Sequence, residues 1–461
     1  MDSMISRLIE PRQEIREEQK IFSNKALQVL LLPLFLEQLL EVLVGVADTF
    51  MVSYAGEAAV SGVSLVNMFN TVFLFLFSAL AAGGAVVVSQ YIGSGNRKNG
   101  NLSAGQLVTI AAFFSIGAMI FSLVFNRQLL RLLFGEVDRD VMEACVTYLR
   151  ISAYSYPAIA VYNAGAAVYR SMGKTRTTMH ISLAANGVNI AGNAIGVFVL
   201  HAGVAGVAYP SLIARTFSAM VMAVLCFQKK NTVCLEWKNL LRWDGRMIKR
   251  ILGIAVPNGI ENGLFQLVKV ALSSITALFG TVQIAANGVA QSFWSVAALM
   301  GTALGLAFVT VIGQCMGAGD TSAAEYYMKK LLRITFLASI LWNALILAVT
   351  PLVLKGYALS AEAARLVVEL VLLHNLFNAL FYPLSGALSN GLRAAGDVKF
   401  TMYVSIGSTM GCRVLFSIVL GIWLDLGVIG VALAMCMDWM LRAACFWLRF
   451  RTGKWKRFQV I

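Results

Sequence analysis

The stretch Pro33–Gly56, PLFLEQLLEVLVGVADTFMVSYAG, is answered at one constant offset by Pro257–Gly280, PNGIENGLFQLVKVALSSITALFG (257 − 33 = 224). The match continues without a gap to Asn96 and Asp320. Along it Glu37 meets Glu261, Gly56 meets Gly280, and Gln90, Gly93 and Gly95 meet Gln314, Gly317 and Gly319. Further on, Arg170 and Gly173 answer Arg393 and Gly396, and Gly203 and Gly206 answer Gly427 and Gly430. The offset slips by one or two residues between these blocks, as with Tyr156-Pro157 against Tyr382-Pro383, which is what a loop insertion does. The chain therefore contains one unit written twice, and an apolar unit in two copies is the sequence pattern of a transporter built from repeats.

The unit is made for lipid. Hydrophobic residues are 59% of the chain and charged residues 13%, against about 25% charged in soluble domains. Backbone amides in lipid must be satisfied internally, so the choice is helices or a closed barrel. The apolar runs are long and lack strict alternation, which selects helices. Twelve spans follow: 26–54, 58–92, 102–125, 141–169, 177–200, 203–227, 248–279, 282–316, 331–354, 362–390, 399–424 and 426–448. They predict an all-α polytopic membrane protein, with two parallel-repeat six-helix bundles around a central cavity. The expected division is an N-terminal arm (1–25), a first lobe (26–227), a polar linker (228–250), a second lobe (251–448) and a basic tail (449–461). The mixed charges of the arm (Arg7, Glu10, Arg12, Glu14, Arg16, Glu17, Glu18 and Lys20) predict a helix lying at the membrane surface.

Charge and cysteine usage exclude other classes. The net charge of +14 sits in short loops between apolar spans, which argues against nucleic-acid binding. Loops after the even spans carry Arg97, Lys98, Arg170, Lys174, Lys329 and Lys330, while opposite loops hold few bases. By the positive-inside rule both termini are then cytoplasmic, in the cytoplasmic membrane of a bacterium. Six spans per copy make the repeats parallel. The seven cysteines lie in apolar runs without a Cys-x-x-Cys pair and read as small hydrophobes. The three histidines, His180, His201 and His374, do not suggest a metal site.

Polar residues inside spans mark the chemistry. Glu37, Glu41 and Asp48 fall within about 40° of one another around the first helix. An ionised group at mid-bilayer costs about 2.5–3.5 kcal/mol on insertion scales, so the stripe must face a cavity, a cation or a base. Such a stripe is suited to exchanging protons. The seventh span carries Asn258, Glu261, Asn262, Gln266 and Lys269, with Glu261 and Lys269 two turns apart. They read either as a buried ion pair or as a vestibule in which Glu261 faces Glu37. Leu272 stands at the position answering Asp48, so an ion site is expected in the first copy only. Asn186, Asn189 and Asn193 lie on the fifth span, and Asn189 and Asn193 share a face. Their amide oxygens suit Na⁺ or a proton-linked network, and they also suit gluing helices together. Asp438 and Arg442, at i and i+4, read as a structural pair.

Ala47-Asp48-Thr49-Phe50-Met51-Val52-Ser53, Gln90-x-x-Gly93-x-Gly95, Gly391-Leu392-Arg393-Ala394-Ala395-Gly396-Asp397 and the 224-residue repeat together resemble the MATE (multidrug and toxic compound extrusion) transporters. The resemblance covers the chain from about residue 25 to 450. It implies two six-helix lobes, a V-shaped central cavity, and rocking between outward- and inward-open states. It implies export of organic, preferentially cationic, amphiphiles driven by re-entry of H⁺ or Na⁺, with no other cofactor. The family's first-helix acid falls on Asp48 and its fifth-helix Asn on Asn189. A position that is Asp in one branch is Asn193, and Asn163 and Ser211 complete the cation-coupling set. Another branch has second-lobe carboxylates on helices 7 and 10. Here helix 10 shows Asn378 and Tyr382 where an acid is wanted. Glu37, Glu41, Glu261, Asn262, Gln266, Lys269 and Tyr382 are expected to line the substrate cavity. The expected partners are a small organic molecule and the bilayer, with the protein acting as a monomer and not as an enzyme. The rivals are a lipid-linked oligosaccharide flippase of the same superfamily, disfavoured by the acidic stripe, and a membrane-embedded enzyme, for which no concentrated motif exists.

Overall fold

The computed structural model describes residues 9–11, 15–135, 138–357 and 359–461. It is helical almost throughout, and no strand occurs among the described residues. The first copy contains α1 (Asn24–Ser53), α2 (Glu57–Gly93), α3 (Arg97–Val124), α4 (Arg139–Tyr154), α5 (Tyr156–Ser171), α6 (Thr175–Ala194) and α7 (Ala205–Cys226). Then follow α8 (Gly245–Ala277), α9 (Thr281–Ala297), α10 (Leu299–Gly317), α11 (Thr321–Leu354), α12 (Ala361–Tyr382), α13 (Leu388–Ala394), α14 (Val398–Ser408) and α15 (Gly427–Arg451).

These helices fill the twelve expected spans. Ten among the described residues are long and apolar enough by themselves to cross a membrane, and the two that are not have clear reasons. The fourth span is broken at Ser155 into α4 and α5, each of 16 residues. α8 is 33 residues long, but Glu261, Asn262, Gln266 and Lys269 dilute its apolar character.

The duplication is visible in backbone detail. Asn96 caps α3 by accepting from the Asn99 amide, and its counterpart Asp320 caps α11 by accepting from Ala323. Gly95 and Gly319 hold the turns before these caps at φ 69° and 74°, where a side chain would clash with the following carbonyl. A π-helical stretch closes the fifth span at Ile195–Val199 and another closes the eleventh at Val419–Trp423. Beside the first, Gly196 and Gly206 touch backbone to backbone. A Cβ added to Gly196 would stand 2.1 Å from the Gly206 carbonyl oxygen. In the second copy a Cβ on Gly430 would stand 2.6 Å from the Gly421 nitrogen.

The chain divides into two compact units, Gln28–Gly259 and the arm through Leu27 with Ile260–Val460. In the first unit α2 packs on α4 and α5, and α6 packs on α7. Val66, Leu149 and Val207 form part of its core. In the second, α9 packs on α12 and α10 on α11 and α13, around Ala286, Ala290, Val367 and Leu370. Both units expose large apolar side chains, such as Phe50, Val199, Leu341 and Leu380, as lipid-facing helices do.

Three parts expected to be peripheral are built into the units. The segment 228–250 is not a free linker. Gln106 donates to the carbonyl of Asn239 (2.7 Å) and accepts from the Asp244 amide (3.0 Å), and Arg97 donates to the carbonyl of Lys229 (2.8 Å). The division falls instead inside α8, between Gly259 and Ile260. Among the described residues of the arm, Ile9 is helical and Glu17–Gln19 form a 3-10 turn. Gln19 donates to Asp320 (2.9 Å), and the Tyr327 hydroxyl both accepts from the Phe22 amide and donates to its carbonyl. Arg7, Arg12 and Glu14 lie outside the described residues. In the tail, Trp455 is fully buried against Phe450, and Lys456 pairs with Glu325.

The glycine contact makes a test of this packing. Gly196→Ala forces the Gly206 backbone away and should cost about 1–3 kcal/mol, as overpacking does. Gly45→Ala, which meets nothing within 4 Å, should leave thermal unfolding of the purified protein unchanged. Equal melting temperatures for the two variants would contradict the close approach.

Candidate functional site

α1 is the helix that carries the acids. Asp48 lies near its C-terminal end, half-buried, on the side that meets α6. The Asn189 Nδ2 donates to Asp48 Oδ1 (2.9 Å) and Oδ2 (3.1 Å), and the Asn193 Nδ2 donates to Oδ1 (2.8 Å). The two asparagines are one helical turn apart, so both amides reach one carboxylate. Ser211 of α7 donates to Asn189 Oδ1 (3.0 Å), which fixes the orientation of that amide. Asn193 is completely buried, and its Oδ1 has no hydrogen-bond partner among the described residues. Arg215, also on α7, exerts a Coulombic pull on Asp48 while its Nη1 donates to Ser155 (2.8 Å). Asp48, Asn189, Asn193 and Ser211 thus form one connected cluster. Asn163 on α5 makes no hydrogen bond to it, and the Nδ2 of Asn186 is buried without a partner.

Glu37, three turns earlier, belongs to a different arrangement. It is 1% exposed, its Oε1 is 2.6 Å from Arg170 Nη2, and its Oε2 accepts from Thr178 (2.9 Å). Glu41 is bonded to Gln38 (3.1 Å) and is otherwise open. The stripe read as one acidic surface is therefore three separate environments: a buried ion pair, an exposed acid and an amide-held carboxylate.

In the second unit Glu261 accepts from Arg393 Nη2 at 2.7 and 2.6 Å, while Arg393 Nη1 donates to Asn390 (3.0 Å). This is the Glu37–Arg170 pair repeated. Glu261 does not pair with Lys269, the partner that spacing along one helix offered. Across-helix geometry won, because Nη2 of a guanidinium from α13 reaches both oxygens of the carboxylate in a charge-assisted contact. The signal for this was available, since the repeat that aligns Glu37 with Glu261 also aligns Arg170 with Arg393. Asn262, Gln266 and Lys269 make no side-chain hydrogen bond among the described residues. Tyr382 packs edge-on against Trp439 and lies over Gly301. Asp438 is held by Arg442 (Nε to Oδ1, 2.9 Å) and also faces Arg413 (3.2 Å).

Comparison with known proteins follows the same twofold pattern. The MatE family profile matches residues 33–195 and 257–419, the two copies in the 224-residue register. A Bacillus subtilis protein named "Uncharacterized transporter YisQ" is 27% identical over 92% of this chain and 93% of its own length. "Probable multidrug resistance protein NorM" of Thermotoga maritima is 24% identical over 98% and 96%. Among solved structures, one described as the outward-facing conformation of a multidrug resistance MATE family transporter superposes with a TM-score of 0.88. It is 19% identical and covers 95% of this chain and 98% of that one. The two matched copies, the helical repeat and the shared fold agree, and the chain belongs to the MatE family of membrane transporters.

Proposed function

We propose that the protein is a cation-coupled antiporter of the cytoplasmic membrane, with both termini cytoplasmic, that exports organic amphiphiles by alternating access. The observation that carries this reading is the Asp48 cluster. A carboxylate inside a membrane helix is expensive unless it has a task or a partner. Here its hydrogen-bond partners are neutral amides, which orient the charge, and Arg215 acts on it without a direct ion pair. The names of the relatives, multidrug resistance and multidrug extrusion proteins, support the substrate class.

The amide arrangement favours H⁺ over Na⁺ as the coupling ion. An ionised Asp48 accepts all three amide N–H bonds. A protonated Asp48 needs an acceptor for its new O–H, and the unpartnered Oδ1 of Asn193 supplies one after a half-turn of that amide. Sodium would need several oxygens turned inward, yet Asn189 Oδ1 is already engaged by Ser211. Proton uptake would then rearrange the bonds tying α1 to α6, a local change of the kind that can bias a two-state element. Cationic substrates would be drawn by Glu41, because Glu37 and Glu261 are each neutralised by an arginine.

Dye efflux from proteoliposomes under separately imposed gradients tests the reading. A pH gradient should drive export, a sodium gradient alone should not, and Asp48→Asn should abolish pumping while the protein remains folded. Near-normal export by that variant at matched amounts would defeat the proposal.

The neutralised pair gives a second expectation. Arg170→Met strands a buried carboxylate, and breaking such a pair typically costs about 3–5 kcal/mol. The double variant Glu37→Gln, Arg170→Met should recover much of that loss. Thermal unfolding in detergent measures both, and additive effects would mean the two side chains are not coupled in stability.

A further inference from the structure

The second unit contains a partly open cavity of about 250 Å³ lined by residues of α8, α9, α12, α15 and the π-helical stretch Thr409–Val414. Its walls have the opposite electrostatic character to the Asp48 cluster. Arg413 and Lys269 line it, and no carboxylate does. Asp438 lies next to Arg413, but the same carboxylate is held through two nitrogens by Arg442. Nearby, Glu261 is matched by Arg393. Four cations against two carboxylates leave this cluster with an excess of two positive charges, both on residues that face the cavity.

The polar wall atoms are also unsatisfied. Arg413 is 2% exposed, yet its Nη2 has no hydrogen-bond partner among the described residues. The same holds for Trp294 Nε1 and for both ring nitrogens of His374, which is 1% exposed. Lys269 also lines the cavity but is exposed, so it keeps contact with solvent, and it makes neither an ion pair nor a hydrogen bond among the described residues. Buried donors without partners cost about 1–3 kcal/mol each, and more when charged. Arg413, Lys269 and Trp294 are donor-only and neutral His374 carries one N–H, and the wall amides of Asn287 and Gln291 can add N–H groups. An acceptor bearing negative charge satisfies them together.

The apolar wall narrows the chemistry. The Phe265 ring stacks beside the Arg413 guanidinium at 4.9 Å, and the Trp294 indole lies flat against Trp439. A cavity of this size, with an aromatic side and a cationic side, fits a small organic acid better than a lone inorganic ion.

We propose that the second unit holds an anion site in which Arg413, Lys269 and the Trp294 N–H bind the carboxylate of a small organic acid. The proposal stands on the second unit alone and does not depend on Asp48 or on the coupling ion.

Binding to the purified full-length protein in detergent tests it, with sodium benzoate as the probe, read by calorimetric titration and thermal shift. Benzamide and benzylammonium serve as neutral and cationic probes of the same shape, and chloride at equal ionic strength separates an inorganic anion from the organic acid. Benzoate should bind and raise the melting temperature, and the three others should not. Lys269→Gln and Trp294→Phe should each weaken benzoate about tenfold, which corresponds to about 1.4 kcal/mol. Asp48→Asn, in contrast, should leave benzoate affinity unchanged even if transport is lost. The site is refuted if folded wild-type protein does not bind benzoate, if benzamide or chloride binds as well, or if both wall variants bind like the wild type.

Discussion

The buried carboxylates in the apolar part of this protein are each answered by an arginine, and that pairing organises much of the molecule. The cost of leaving an ion unanswered in hydrocarbon is several kcal/mol, larger than most single packing contacts contribute. Glu37 is answered by Arg170 and Thr178, Glu261 by Arg393, and Asp438 by Arg442 and Arg413. Each of these pairs ties one helix turn to another and fixes register as well as charge. Because Glu37–Arg170 and Glu261–Arg393 recur in the two copies, the pair reads as part of the ancestral unit. The task-specific groups are those in which the copies differ.

Two such differences stand out. In the first copy Asp48 is hydrogen-bonded by neutral amides and makes no ion pair among the described residues, with Arg215 acting on it only through space. In the second copy Leu272 replaces it, and the polarity of that unit's cavity is inverted, with Arg413 and Lys269 in its walls. A duplicated scaffold thus holds an amide-bonded carboxylate in one half and a cavity with cationic side chains in its walls in the other. The shared features, capped turns, π-helical ends and glycine contacts, are what both halves need in order to fold.

Much of this was legible before any coordinates. The offset of 224 residues, the twelve apolar runs and the turn glycines follow from periodicity and composition, because hydrophobic spans must be helical in lipid whatever surrounds them. The cluster of Asp48, Asn189, Asn193 and Ser211 was reached through family resemblance, and the geometry brings those four together. Asn163 was placed with them by the same route and makes no hydrogen bond to them. Reading Glu37, Glu41 and Asp48 as one stripe was correct about their angle on the helix but silent on their neighbours. Spacing within one helix suggested Lys269 for Glu261, whereas a guanidinium from another helix took it. The segment 228–250 read as a polar linker and the arm as a helix at the membrane surface, because both are rich in charged residues. Their polar groups are instead consumed by side chains such as Gln106 and Tyr327.

The sequence by itself determined the class, the repeat, the number of spans and the identity of the ionisable residues within them. These depend on hydropathy and on the backbone's need for internal hydrogen bonds, which are local quantities. Helix packing alone settles which acid is paired with an arginine, which is held by amides, and which cations line a cavity. Those outcomes depend on where helices distant in the chain cross. A difference of one turn at a crossing, about 5.4 Å, is enough to exchange an ion pair for a binding site.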